Sequence, residues 1–280
     1  MKSIITIIVP CFNQAQYLDE ALQSVMEQTY IHWECIIVND GSPDDTEVVA
    51  NKWIERDFRF KYIYQENGGL SSARNYGINH ASGEFILPLD ADDKISKDYV
   101  ALALKAFEED NSLKVVYCKA EKFGDENGFW DLESFSLFNL SRRNMIFCSA
   151  VYRKKDWELV GGYDVNMKYG CEDWEFWIAL LKNGGNVKQL DEVGFYYRTK
   201  SISMIKKVEN KQYDNLFTYL SIKHADFFVK YYGSFFALEA QIKKAKKKEQ
   251  DKLKSEKYVI DVFCKRFFSF TIFGLYKKEL

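Results

Sequence analysis

The chain has few of the residues that build common metal, nucleophile and disulfide sites. It contains three histidines, and their spacing indicates neither a metal cluster nor a catalytic triad. Its six cysteines are scattered and include no C-x-x-C pair, which argues against a zinc site and a disulfide framework. Any general acid-base chemistry is therefore expected to fall to carboxylates.

Long apolar runs and a strong charge of one sign are also absent. The first apolar stretch, residues 4–9, runs directly into Pro10 and is too short for a secretory signal. No stretch approaches the roughly 18 uninterrupted apolar residues of a membrane-spanning helix. The net charge of −2 gives no general attraction to nucleic acid. We therefore expect a cytoplasmic chain that does not bind nucleic acid.

What the sequence does contain is an alternation of buried-strand and helix patterns. Short apolar runs, typical of strands buried on both faces, occupy residues 4–9, 34–39, 60–64 and 84–89. Helical periodicity separates each run from the next. This β-α-β-α-β-α-β order predicts an α/β fold with a parallel sheet, and a ligand crevice at the carboxyl ends of its strands.

Acidic residues stand directly at the ends of these predicted strands. Burying Asp40, Asp90 or Asp92 there is costly unless a cation or a hydrogen-bond donor accompanies the carboxylate. Carboxylates without nearby histidine or thiolate favour Mg²⁺ or Mn²⁺, which usually reach a protein with substrate phosphates. A second acidic pair, Glu172 and Asp173, opens an amphipathic helix pattern. The two clusters predict phosphate-linked group transfer by a metal site and a base.

Five ordered motifs resemble the signature of family 2 glycosyltransferases. They are residues 9–13 (VPCFN), 37–42 (IVNDGS), 67–77 (NGGLSSARNYG), 87–93 (LPLDADD) and 170–173 (GCED), within a resemblance that covers about residues 3–205. The resemblance implies the GT-A fold, a Rossmann-like and mostly parallel sheet flanked by helices. It also implies an inverting, non-processive enzyme that moves one sugar from a UDP-sugar donor to a hydroxyl of a glycan acceptor. The expected setting is bacterial surface polysaccharide assembly.

The resemblance assigns donor-binding roles to residues at the strand ends. Asp40 is expected to accept a hydrogen bond from the uracil N3–H, with Pro10 and Phe12 packing around the base. Arg74 is expected near the uracil and diphosphate, where a planar guanidinium can make two directed hydrogen bonds. The remaining expected donor contacts are Asn13, Asn67, Gly68, Asp90, Ala91 and Arg198. A helix-surface arginine is the alternative for Arg74, and a structural salt bridge is the alternative for Arg198.

The resemblance also divides the two acidic clusters between metal and base. Asp92 and Asp90 are expected to hold Mn²⁺ or Mg²⁺ at the diphosphate, and Asp93 is left open as a second ligand. Asp173 is expected to remove the proton of the acceptor hydroxyl, while Glu172 and Trp174 shape the acceptor site. The alternative for this pair is a helix N-terminus that is simply enriched in acids.

Two further absences narrow the reaction. The Gln-x-x-Arg-Trp signature of processive synthases is missing, since no tryptophan follows an arginine. The Gly-x-Gly-Thr-Arg pattern of sugar-nucleotide pyrophosphorylases is replaced by residues 10–13. Two other functions stay open. One is a polyprenyl-phosphate sugar synthase, whose ionised acceptor needs no strong base, and the other is a non-catalytic sugar-nucleotide-binding protein.

The composition changes after about residue 205. We predict a catalytic domain over residues 1–205, with a nucleotide-binding half 1–93 and an acceptor half 94–205, and a helical basic and aromatic extension over 206–280. Residues 243–257 hold eight lysines against three acidic residues, and an aromatic stretch follows them. This pairing is typical of peripheral association with an anionic membrane, here the inner face, and would suit a lipid-linked glycan acceptor. A solvated helix followed by a packed final helix is the alternative.

Overall fold

The amino-terminal part of the chain alternates strands and helices in the predicted order. A computed structural model describes residues 5–201 and 210–276. The strands β1 to β4 are Ile5–Cys11, Trp33–Asp40, Phe60–Gln65 and Phe85–Pro88, and the helices α1 to α3 are Ala15–Met26, Thr46–Arg56 and Leu70–His80. Every residue of β1 and β2 is buried, as parallel strands covered on both faces should be.

The next part of the chain adds shorter strands and completes the sheet. Its strands β5 to β9 are Lys94–Ile95, Leu113–Gly124, Gly128–Trp130, Val151–Arg153 and Asn186–Thr199. Its helices α4 to α7 are Tyr99–Glu109, Leu137–Leu140, Lys154–Val160 and Glu172–Leu181. Strands β5 to β9 belong to the same sheet as the first four strands. Among the described residues, the strand order of this sheet is β3-β2-β1-β4-β8-β6-β9-β5, and β7 pairs with β6.

The direction of each strand decides which loops meet at one edge of the sheet. Strands β1 to β4 are parallel, β8 is antiparallel to both β4 and β6, and β9 is parallel to β6. Because β8 runs opposite to both β4 and β6, strand β6 has the same direction as β4, and so does β9. The carboxyl end of β9 therefore lies at the same edge as the ends of β1 to β4. The α/β sheet flanked by helices is confirmed, and it is mixed rather than uniformly parallel.

Helix α3 approaches the sheet closely through a glycine. A Cβ atom at Gly77 would lie 2.7 Å from Cγ2 of Ile8 and 2.8 Å from Cγ2 of Val38. Because contacts this short do not occur between real carbon atoms, only glycine fits between α3 and the first two strands. Arg74 lies three residues earlier on the same buried face of the helix, so this close approach also carries Arg74 into the core.

The described residues divide into two compact units, residues 1–225 and 226–280. Helix α8, Asn210–Lys223, belongs to the first unit, and α9, Ala225–Tyr232, begins at the division. Helices α10 and α11, Phe235–Lys254 and Glu256–Phe268, form the second unit and confirm the expected helical tail. The predicted boundary after residue 205 lies outside the described residues and stays a prediction. No helix within the described ranges is both long enough and apolar enough to cross a bilayer.

Candidate active site

Asp40 is the last residue of β2, and the loop after β3 encloses its side chain. Its Oδ1 accepts hydrogen bonds from Gln65 Nε2 at 2.5 Å and from Gly68 N at 2.8 Å, and its Oδ2 accepts one from Gly69 N at 2.9 Å. The side chain of Asn67 donates to the Asp40 carbonyl at 2.9 Å. Three donors thus use three of the roughly four lone-pair sites of the carboxylate. The hydrogen bond to a uracil imide stays a prediction.

The residues predicted to surround the base lie on the loop that follows β1. Pro10 is buried within the strand, whereas the ring of Phe12 is 49% exposed. Asn13 adopts a left-handed φ of 54°, and its N–H donates to Ser42 Oγ at 3.1 Å. This bond ties the loop after β1 to the loop after β2, so the structure brings Phe12 and Asn13 to the same edge of the sheet as Asp40.

Arg74 is fully buried and joins the two acidic clusters. Its Nη2 donates to Asp90 Oδ1 and its Nη1 donates to Glu172 Oε1, each at 2.7 Å. Burial lowers the pKa of Arg74, but the charges of these two carboxylates hold that pKa well above its ordinary value. The helix-surface alternative for Arg74 is therefore wrong. Its predicted contact with the uracil and diphosphate stays a prediction.

Asp92 and Asp93 differ in what surrounds them. Asp93 is buried, and its Oδ1 accepts a hydrogen bond from the backbone N–H of Arg198 at 2.7 Å. Among the described residues, no group donates to Asp93 Oδ2. Burial, followed by repulsion from Asp92 and Asp90, holds the pKa of Asp93 well above its ordinary value. Asp92 is half-buried and forms an ion pair with Lys200 Nζ, so it is the more accessible carboxylate.

Arg198 lies beside these carboxylates, and protein groups hold its side chain. Its Nε donates to the carbonyl of Asp92 at 2.9 Å, and its Nη2 pairs with Glu20 Oε2 at 2.9 Å. The guanidinium also lies over the rings of Tyr17 and Phe123, at 4.6 and 4.3 Å from their centroids. This arrangement is the structural salt bridge considered as its alternative. A contact between Arg198 and the diphosphate stays a prediction.

The carboxylates at this edge fit a divalent cation that is shared with a substrate diphosphate. Across residues 5–201 and 210–276, no three side chains of His, Cys, Asp or Glu are arranged to hold a metal ion by themselves. Mg²⁺ is usually held by only one or two carboxylates together with substrate phosphates. Among the described residues, Asp93 Oδ2 is buried without a donor, so the cluster offers a carboxyl oxygen that no protein group satisfies. Asp90 and Asp92 are the residues that would hold the ion.

Asp173 lies in the first turn of α7 and has a different environment. Its Oδ2 accepts a hydrogen bond from Asn144 Nδ2 at 2.8 Å, and its Oδ1 accepts one from the N–H of Trp174 at 2.7 Å. Burial, followed by the charge of Glu172, raises the pKa of Asp173 to about 7. A general base works best when its pKa lies near the operating pH.

The segment before α7 explains how the acidic pair is presented. Gly170 and Cys171 have φ angles of 115° and 61°, and the left-handed conformation at Cys171 is uncommon for a residue with a Cβ. Trp174 Nε1 donates to the Leu140 carbonyl at 2.7 Å, and Trp177 Nε1 donates to the Ile146 carbonyl at 2.8 Å. These bonds fix the loop that carries the partner of Asp173 against the helix. Trp174 is half-buried, and its predicted role in a sugar subsite stays a prediction.

Three residues that contact the acidic groups are not predicted from the sequence. Asn144 donates to Asp173, Lys200 pairs with Asp92, and Cys148 Sγ donates to Asp90 Oδ2 at 3.5 Å. The position of Lys200 two residues after Arg198, a predicted donor contact, could have indicated its presence at this edge. No comparable signal marks the other two residues, because they lie on an irregular loop. Predicted Ala91 is buried between the two acidic neighbours of the loop.

Residues 6–172 match the model of one protein family, which is described as glycosyl transferase family 2. This chain belongs to glycosyl transferase family 2. The matched range covers more than half of the chain and includes both predicted clusters as far as Glu172. The family predicted from the five motifs is confirmed.

Two family 2 relatives match most of the chain and a third matches part of it, and each of the three is longer than this chain. The "Uncharacterized glycosyltransferase EpsJ" of Bacillus subtilis is 30% identical over 220 residues, which cover 73% of this chain and 63% of EpsJ. The "Putative glycosyltransferase EpsH" of the same organism is 39% identical over 206 residues, which cover 72% of this chain and 58% of EpsH. The "Glycosyltransferase GlyA" of Streptococcus pneumoniae is 45% identical over 105 residues, or 38% of this chain and 15% of GlyA. The chain thus spans less than two thirds of the length of these relatives.

A solved structure shares the fold of this family 2 chain. The crystal structure of S. aureus TarS 1–349 in complex with UDP superimposes with a TM-score of 0.67 and 21% sequence identity. The superposition covers 81% of this chain and 70% of the TarS chain. The predicted GT-A fold is confirmed by this likeness.

Proposed function

We propose that this chain is an inverting, metal-dependent glycosyltransferase that moves a single sugar from a UDP-sugar to a hydroxyl of a glycan acceptor. The observation that carries the proposal is the arrangement around Arg74. One buried guanidinium connects Asp90, which belongs to the predicted donor and metal site, to Glu172, the neighbour of the predicted base. The groups expected to serve the leaving nucleotide and the attacking hydroxyl therefore lie in one continuous site.

The nature of the donor is supported by the structural neighbour. TarS 1–349 has been solved in complex with UDP and with UDP-GlcNAc, and this chain shares its fold. The exposed ring of Phe12 would give a planar base an apolar surface, and Asp40 at the same edge of the sheet would accept the imide hydrogen. We therefore assign the uracil nucleotide to the edge formed by the ends of β1 and β2.

The acceptor class is supported by the names of the relatives. Among them are the chondroitin synthase of Pasteurella multocida and the minor teichoic acid biosynthesis protein GgaB of Bacillus subtilis. The first name refers to the synthesis of chondroitin and the second to the biosynthesis of a teichoic acid. We propose that this chain works in the cytoplasm on a glycan, or a lipid-linked glycan, of a bacterial surface polysaccharide.

In the proposed reaction Asp173 takes the proton from the acceptor oxygen, which attacks the anomeric carbon from the face opposite the diphosphate. The amide of Asn144 holds the carboxylate in one orientation, while burial, followed by the charge of Glu172, raises its pKa to about 7, where it can both accept and release a proton. A single displacement inverts the anomeric configuration. Arg74 holds Glu172 in place through their 2.7 Å hydrogen bond.

At the donor side, Asp92 and Asp90 would hold Mn²⁺ or Mg²⁺, and the bound ion would supply Lewis-acid stabilisation of the leaving nucleotide. Asp92 is the more accessible ligand, since Asp93 is buried and its backbone-facing oxygen is used by Arg198. Lys200 adds a further positive charge beside Asp92. Charge of this kind, fixed before the reaction, stabilises negative charge as it develops on a leaving group.

The environment of Asp173 favours a hydroxyl acceptor over a phosphate acceptor. A polyprenyl-phosphate sugar synthase has an acceptor that is already ionised and needs no base. A partly buried carboxylate with a pKa of about 7 would then have no function, and its charge would repel the incoming phosphate. A hydroxyl, in contrast, is a poor nucleophile until its proton is removed.

The experiment that tests the proposal compares the chain with its Asp173→Asn variant. A panel of UDP- and GDP-sugars is first screened for Mn²⁺-dependent donor hydrolysis, and the active donor is then offered to hydroxyl and phosphate acceptors. We expect the variant to bind UDP as tightly as the unchanged chain and to transfer sugar roughly 10² to 10⁴ times more slowly. We expect NMR of the product to show an inverted anomeric centre.

The matched control is Asp156→Asn, which alters a buried acid of α6 outside the acidic clusters. We expect the transfer rate to stay close to that of the unchanged chain, because Asp156→Asn keeps the shape of a side chain that belongs to neither acidic cluster. Near-normal transfer by Asp173→Asn would point to a phosphate acceptor. UDP binding without donor consumption for any acceptor would identify a non-catalytic sugar-nucleotide-binding protein, and a retained anomeric configuration would exclude the single displacement.

A further inference from the structure

In the second unit, a buried carboxylate folds the end of the described chain back along α11. Asp261 lies in α11 and is fully buried. Its Oδ1 accepts hydrogen bonds from the N–H groups of Ile272 and Phe273, each at 2.7 Å, and its Oδ2 accepts one from Leu275 at 2.6 Å. Three charge-assisted bonds to backbone N–H groups hold residues 269–276 as a defined turn beside the helix. The turn is therefore part of the fold of this unit.

The helix and the turn together present a cluster of phenylalanine rings to solvent. Phe263, Phe267, Phe268 and Phe270 are between 52% and 65% exposed. Their rings contact one another, with centroids 4.9 Å apart for Phe263 and Phe267 and 6.2 Å apart for Phe268 and Phe270. Exposed apolar side chains that occur singly are normal, but a contiguous exposed aromatic patch is typical of a surface that interacts with a protein, a membrane or a ligand. We call these four residues the aromatic patch.

Positive charge accompanies the aromatic patch in the same unit. Lys265 and Arg266 lie within it along α11 and are exposed. Residues 243–257, which form most of α10 and the start of α11, hold eight lysines against three acidic residues, and no residue of α10 is buried. The acid nearest to the patch in the helix is Asp261, whose carboxylate is turned inward to the backbone of the turn. The exposed surface of this unit is therefore aromatic and strongly basic.

We propose that α11 and the turn after it form a membrane-docking surface that inserts the aromatic patch into the interface of an anionic bilayer. Exposed phenylalanines beside lysine and arginine are the features that bury an amphipathic helix at the boundary between headgroups and acyl chains. The basic residues are attracted to anionic lipid headgroups, while the rings enter the apolar layer below them. A protein partner with an acidic apolar groove is the competing occupant. The proposal goes beyond the sugar transfer and does not depend on the donor or the acceptor.

The test is co-sedimentation of the full chain with vesicles of phosphatidylcholine alone and of phosphatidylcholine mixed with phosphatidylglycerol. We expect sedimentation with the anionic vesicles only, and its decrease as salt is raised. The double variant Phe267→Ser with Phe268→Ser should reduce partitioning at least tenfold. Lys265→Gln with Arg266→Gln should reduce it by more than tenfold, since each cation near an anionic surface changes partitioning by about fivefold. Circular dichroism establishes that each variant remains folded.

Phe58→Ser is the matched control, because Phe58 is 89% exposed and lies in the first unit. Its removal should leave vesicle binding unchanged, whereas an equal loss would mean that exposed aromatic residues bind vesicles without specificity. The proposal is overturned if the full chain does not sediment with anionic vesicles, or if the double phenylalanine variant sediments as well as the unchanged chain. Self-association in sedimentation velocity that the double variant abolishes, without vesicle binding, would overturn it in favour of a protein partner. Mn²⁺-dependent UDP binding, measured alongside, reports separately on the proposed function.

Discussion

The hydrogen bond from Asn144 to Asp173 offers a sensitive test of the proposed base. Replacing Asn144 with Leu removes the amide donor and keeps a side chain of similar volume. A hydrogen bond to a charged group contributes about 1.5 to 3 kcal/mol, and one pKa unit corresponds to about 1.4 kcal/mol. Because the bond stabilises the ionised carboxylate, its loss should raise the pKa of Asp173 by roughly one to two units above its value of about 7.

The assay is the pH dependence of kcat/KM for sugar transfer. In the unchanged chain the rate should rise with pH through about 7 and then level off, since only the ionised base accepts a proton. In Asn144→Leu the rise should move to roughly pH 8 to 9. Asn166 donates an equivalent amide bond to Asp164, so Asn166→Leu should leave the rise near pH 7. A folded Asn144→Leu variant whose rise does not move would refute the assignment of Asp173 as the base.

Three further outcomes follow from the charges of the site. Lys200→Met removes the cation that is paired with Asp92. In the absence of donor, calorimetry should therefore show that Mn²⁺ binds at least about tenfold more tightly to the variant. Weaker binding would contradict this and would mean that Lys200 supports metal binding. Arg74→Met leaves two carboxylates without their buried partner, so the free energy of unfolding, measured by urea denaturation, should fall by about 3 kcal/mol. The control Arg56→Met, at an exposed helix end, should change it by less than about 0.5 kcal/mol. Because the pKa of Asp173 is higher in the folded than in the unfolded state, the unfolded carboxyl loses its proton at lower pH than the folded one. The free energy of unfolding should therefore fall as pH rises from about 4 towards 7. The urea midpoint of Asp173→Asn should not show this part of the pH dependence.

The first four strands could be predicted from the sequence because each carries a continuous apolar run. The run at residues 84–89 corresponds to Phe85–Pro88, and the run at 34–39 corresponds to Trp33–Asp40. Strands β5, β7 and β8 could not be predicted in this way, since they have two, three and three residues and leave no periodic signal. Strand β8 is antiparallel to both of its neighbours, β4 and β6, and so makes the sheet mixed. Because β8 has only three residues, the mixed sheet could not be predicted from the sequence.

The candidate site divides in the same manner. Asp40, Asp90 and Asp92 were found because a parallel sheet brings the ends of its strands to one edge. The pairing of Arg74 with Glu172 joins residues 98 positions apart, and only the packing of α3 and α7 around the sheet determines it. Asn144 lies on an irregular loop whose position depends on hydrogen bonds from the tryptophans of α7. Such contacts are set by tertiary structure and leave no pattern in the chain.

Arg74 would couple the binding of the two substrates in the proposed site. In the proposed reaction its guanidinium is shared between Asp90 on the donor side and Glu172 on the acceptor side. A cation held at Asp90 would compete with Arg74 for that carboxylate and would leave the guanidinium to hold Glu172 more firmly. By thermodynamic reciprocity, an acceptor that engages Glu172 must change donor affinity by the same factor. Cooperative binding of donor and acceptor would thus be a property of a single side chain.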